Sequence, residues 1–166
     1  KLGKNVSKDL LNPVALSIAT NDFFIRLRNC TDGKYIYKKD RGFTFEHQLN
    51  LNTHHVLDKR LEDYKLPEQQ GKIPIMVFTP TIANDSRRLF VSAQPMSYMC
   101  SPFMSESYQG TVEDVEYLSL LENHDPLNLK FTSALRMNAT FPYILPQVAL
   151  PTTPEITVMD AGIRDN

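Results

Sequence analysis

The chain of 166 residues carries 18 Lys and Arg against 19 Asp and Glu, a formal net charge of −1, and 42% of its residues are hydrophobic. That length can bury a real core and corresponds to one domain, and the near-neutral charge gives no reason to expect nucleic acid or an anionic membrane as a partner. No apolar run reaches the roughly 18 residues that span a bilayer and no signal-peptide pattern opens the chain, so the expected location is cytoplasmic or peripheral to a membrane.

From Asp9 to Leu27, apolar clusters at helix-compatible spacing predict one or two helices, with Pro13 tolerable in a first turn. Residues 29–42 read as a turn, a short exposed strand and another turn. Cys30 here and Cys100 further on stand apart from each other and from any His at metal-ligand spacing. They read as free thiols, with an exported disulfide as the less economical option, and no metal or cofactor is expected. Phe45, Leu49 and Val56 share a narrow arc, which predicts an amphipathic helix from about Thr44 to Glu62, ended by Pro67 and the polar residues after it. His54 and His55 diverge by about 100° on such a helix. His47 shares a face with His54, but no carboxylate or Cys completes a site, so these are solvated histidines. Residues 1–70 are thus expected to be mostly helical, and 71–166 to hold the sheet.

Ile73 to Phe78 is a continuous apolar run that predicts a central strand, with Arg88 to Ala93 its neighbour across the Asn84-Asp85 turn. Gln94 to Gly110, rich in Met, Ser, Tyr and Pro, is a long loop over the sheet. Thr111 with Asp114 three residues on predicts a capped helix, and Asp125-Pro126 caps the next. His124 beside Asp125 resembles half of a Ser-His-Asp set, although capping is the simpler role for Asp125. On the last helix Leu127, Phe131, Ala134 and Asn138 share one face, so Asn138 is either a buried amide met by a neighbouring loop or a hydrated helix end. The basic residues Arg87-Arg88 and Lys38-Lys39-Asp40-Arg41 are solvated surface, with weak headgroup contact as the sharper alternative. Finally, an apolar strand around Ile156 and Val158 delivers Asp160 into the small turn Ala161-Gly162. Ligand crevices of open α/β sheets lie at such strand ends, so Asp160 reads either as a catalytic acid or base or as an ordinary turn Asp making an Asx bond. Gly162 can take positive φ there at no steric cost.

The helix end Asn138-Ala139-Thr140-Phe141-Pro142, the Pro-hydrophobic segment after it and the strand leading to Asp160-Ala161-Gly162 with Asn166 resemble the carboxyl-terminal part of the patatin-like acyl hydrolase domain. Ile73–Thr81 and Arg88–Ala93 look like that family's preceding strand pair. The resemblance covers the second half of the chain well and the first half loosely. It implies an α/β fold, a three-layer patatin-like domain with a mainly parallel central sheet flanked by helices, and residues 1–166 as a single domain fragment from the C-terminal part. The strand-helix-helix-strand order from Ile73 to Asp160 points the same way.

The resemblance further implies a serine acyl hydrolase of the Ser-Asp dyad type, a phospholipase or lipid esterase, in which Asp160 is catalytic and Ala161, Gly162, Asn166 and Asn138 support it. Ala161 stands where the family commonly has Gly. The family's nucleophile lies on an upstream Gly-x-Ser-x-Gly elbow beside a Gly-rich oxyanion loop, and this chain has neither. A first residue other than Met and a stop within the motif fit a piece of a longer enzyme. Its substrate would be a lipid or other ester, with peripheral membrane contact, and an upstream segment or a second copy is expected beside strand 155–159. The alternative, from another class, is a non-catalytic α/β binding or interaction module whose Gln94–Tyr108 loop is a partner surface.

Overall fold

The computed structural model describes residues 8–22, 29–32, 35–100, 114–141 and 143–163. The chain divides into two compact units, residues 1–58 with 141–146, and residues 59–140 with 147–166.

In the first unit the helix Leu11–Ser17 runs on into one π-helical turn, Ile18–Asp22. Asp9 Oδ1 accepts from the amides of Leu11 and Asn12, both at 3.1 Å, satisfying two donors that a helix start leaves without partners. Residues 29–38 hold two strands where one was expected. They are β1 (Asn29–Asp32) and β2 (Tyr35–Lys38), paired antiparallel with Asp32 opposite Tyr35. The helix Arg41–Asn52 is capped by Asp40, which accepts from Phe43 N–H at 2.9 Å, and Thr44 Oγ1 reaches Ser17 Oγ at 3.1 Å. The single helix expected over 44–62 is broken. Thr53 Oγ1 turns back onto the Leu49 carbonyl, and His54 and His55 both take left-handed φ, 54° and 60°. Among non-glycine residues, Asn, Asp and His are several-fold enriched in that region.

The second unit opens with the helix Leu61–Gln69, where Asp63 Oδ2 accepts from the Arg60 amide at 2.8 Å. Pro67 lies inside this helix and does not end it. Gly71 does, at φ +66°: its N–H reaches the Glu68 carbonyl and the Lys72 N–H reaches the Pro67 carbonyl, both at 3.0 Å, the paired bonds of a Schellman cap.

The sheet runs in the order β3 (Val77–Phe78), β5 (Arg88–Ser92), β4 (Thr81–Ile82), β8 (Ile156–Met159), β7 (Val148–Leu150), with β6 (Asp114–Glu116) also on β5. Every pairing is antiparallel except β5–β6. The expectation of a three-layer domain around a mainly parallel sheet is therefore corrected to a small, curled, mainly antiparallel sheet with helices. Two short connections force this: residues 83–87 join β4 to β5 and 151–155 join β7 to β8, too few for the crossover that parallel neighbours need.

Ile73–Phe78 is likewise not a central strand. Pro74 has no amide to give a ladder, and the Met76 amide goes instead to the carboxylate of Glu68 at 3.1 Å, which leaves only Val77 and Phe78 paired. The central strand is β5, whose Leu89, Phe90, Val91 and Ser92 are all buried. Strand β8 has β4 on one edge and β7 on the other, so the neighbour expected beside 155–159 is the chain itself.

Asp114 starts a strand where a helix cap was expected, and its Oδ1 accepts from Arg88 Nε at 3.1 Å across the parallel pair. Asp125 is left-handed at φ 55° and makes no side-chain cap; only the 3-10 turn Pro126–Asn128 follows it. The helix bearing Asn138 begins later, at Phe131, because Lys130 is extended and bridges Arg60. Phe131 anchors this helix by packing against Tyr64 and Phe78, with ring centroids 4.7 and 5.6 Å away.

Candidate active site

Asp160 follows β8 directly, and main-chain atoms fix its place. Its N–H donates to the carbonyl of Thr140 at 3.3 Å, and its own carbonyl accepts from Ile163 N–H at 3.5 Å around the single 3-10 turn Ala161–Ile163. Thr140 is buried, and its hydroxyl donates to the Arg136 carbonyl at 2.7 Å, closing off the last turn of the helix Phe131–Asn138. The end of that helix and the end of β8 are thus clasped through backbone, so the two segments that carry the family resemblance meet in space.

The carboxylate of Asp160 is half-buried, and among the described residues no group donates a hydrogen bond to it. An Asx bond to a following amide is not formed among those residues. Gly162 keeps one flank of the carboxylate open without using the left-handed region: a methyl group there would lie 3.4 Å from Asp160 Oδ2. Ala161 is half-buried at the start of the same turn. Asn166 lies outside the described residues. Chemically, the arrangement presents a carboxylate to approach from one side while its backbone is held.

Asn138 is half-buried at the end of its helix, and its Oδ1 accepts from the Thr79 amide at 3.0 Å. That amide belongs to the link between β3 and β4. The partner for Asn138 is therefore a sheet segment, and the bond ties the helix end to the strands.

Three polar groups that hold the unit together went unnoticed in the sequence. The buried carboxylate of Glu68 accepts from Met76 N–H and from Gln94 Nε2, and the same Gln94 nitrogen reaches the Lys65 carbonyl at 2.8 Å. Buried Glu116 accepts from Met96 N–H and Ser119 Oγ. Gln94 and Glu116 stand where apolar strand residues run out, and Glu68 lies in the polar last turn of the helix Leu61–Gln69, where nothing in the sequence marks it as buried. Both carboxylates supply acceptors to irregular segments that have no ladder of their own.

Cys100 is a buried free thiol packed with Phe90 and Met96. Burial pushes its pKa up to about 11, with Glu116 and Asp114 adding to the effect and Arg88 opposing it, so it is not a nucleophile near neutral pH. His54 and His55 are exposed, His54 Nε2 lying 3.5 Å from Lys8 Nζ and His55 Nδ1 3.9 Å from Asp58. No cluster of three metal-ligating side chains exists among the described residues, and no helix among them is long and apolar enough to cross a membrane. Comparisons with family models, with curated proteins and with solved structures returned no match.

Proposed function

We propose that Asp160 is the carboxylate of a Ser-Asp dyad in a patatin-like acyl hydrolase acting on lipid or other carboxylic esters, with the serine on a segment that this sequence does not contain. The observation that carries the reading is the 3.3 Å bond from Asp160 N–H to the Thr140 carbonyl. It joins the Asn138–Phe141 helix end to the Asp160-Ala161-Gly162 turn, the two segments on which the resemblance is drawn. The antiparallel sheet withdraws the argument from open parallel sheets, so the reading rests on this local arrangement.

In such a site the serine hydroxyl attacks the ester carbonyl carbon and its proton passes to an oxygen of Asp160. The tetrahedral oxyanion is held by amides until the alcohol leaves, taking that proton. Water then repeats the sequence on the acyl-enzyme. A carboxylate of ordinary pKa near 4 is a weak base toward an alcohol, so preorganised oxyanion donors must supply several kcal/mol. The open flank at Gly162 is where a hydroxyl can approach.

The test is Asp160→Asn in a protein that also carries the serine segment, assayed on a short-chain p-nitrophenyl ester. Asn keeps the shape and cannot take the proton, so kcat/KM falls by about 10²–10⁴ with unchanged thermal unfolding. Retained activity removes the assignment.

The corrected sheet supports a second reading, a non-catalytic interaction module in which the Asp-Ala-Gly turn merely closes β8. The two part on one observation of the parent reading frame. A Gly-x-Ser-x-Gly behind an apolar strand upstream supports the hydrolase, and its absence supports the module.

A further inference from the structure

We draw no further inference here: the strongest candidate, the side-chain cluster at the start of the helix Tyr117–Leu120 in which buried Glu116 accepts from the exposed Ser119 hydroxyl and from Met96 N–H, carries nothing, because those bonds are accounted for by the helix start and the link after β5 that they hold, and nothing else among the described residues points to a ligand there.

Discussion

Asn138 and Asp160 carry the same kind of short polar side chain at the ends of neighbouring elements, and the structure gives them opposite duties. Asn138 Oδ1 is the acceptor for the Thr79 amide, so Asn138→Ala leaves a half-buried backbone donor without a partner. The expected cost is about 1–2 kcal/mol in urea unfolding, and Asn138→Asp, which retains an acceptor, recovers most of it. Asp160→Asn is expected to change stability by less than about 0.5 kcal/mol, because no described residue bonds its carboxylate. Equal losses at both positions would place Asp160 among the structural residues. Of the face that the spacing assigns to Leu127, Phe131, Ala134 and Asn138, Phe131 and Ala134 are buried on the helix that ends at Asn138, while Leu127 lies in the 3-10 turn before that helix and not on it. The sequence did not reveal the partner of Asn138, because Thr79 is 59 residues away and offers a backbone atom that no side-chain pattern encodes.

At the scale of elements, local rules read well where one residue decides and poorly where two long-range partners compete. The strand at Arg88–Ser92, the strand into Asp160 and the helix ending at Asn138 were legible from apolar runs and spacing. Thr111 with Asp114 looked like a helix start, but Asp114 is drawn into a strand by Arg88 and by pairing along β5. Strand direction was hidden for a related reason: β4 meets β8 after more than seventy residues, and nothing in either segment states its orientation. Pro67 is instructive. The sequence reads a helix stop in Pro67 and the Glu68-Gln69-Gln70-Gly71 that follows, and within that stretch the stop is made by Gly71, four residues past the proline, while Pro67 itself stays helical. A Cβ at Gly71 meets nothing within 4 Å, so Gly71→Ala tests backbone conformation alone. It is expected to lower stability by about 1–2 kcal/mol in chemical denaturation, with Gly71→Asn costing less. No difference between the two would mean that the cap is not formed in solution.

For the whole chain, the decisive question is completeness of a catalytic set. The sequence holds one half of the proposed dyad and neither a nucleophile elbow nor a Gly-rich oxyanion loop. The 166-residue chain on its own is therefore expected to hydrolyse p-nitrophenyl esters no faster than buffer, because even residual catalysis needs the oxyanion donors. Turnover that survives purification and tracks the folded fraction would show that a serine within these residues acts. Complementation by a missing strand beside β8 is not the route to activity, since β4 and β7 already occupy both of its edges.

The bond between Asp160 and Thr140 has one more property, best described in terms of inheritance. It is made by an amide and a carbonyl, atoms that nearly every amino acid brings to its position. The spacing between helix end and carboxylate is therefore shielded from most sequence drift at residue 140, provided the buried volume there is kept. Proline at 160 is the exception, because it removes the donor. What such a link does not absorb is movement. A displacement of the main chain at 136–140 bears on residue 160 through this bond, so the place of the carboxylate is insensitive to most substitutions at 140 and coupled to the end of the helix Phe131–Asn138.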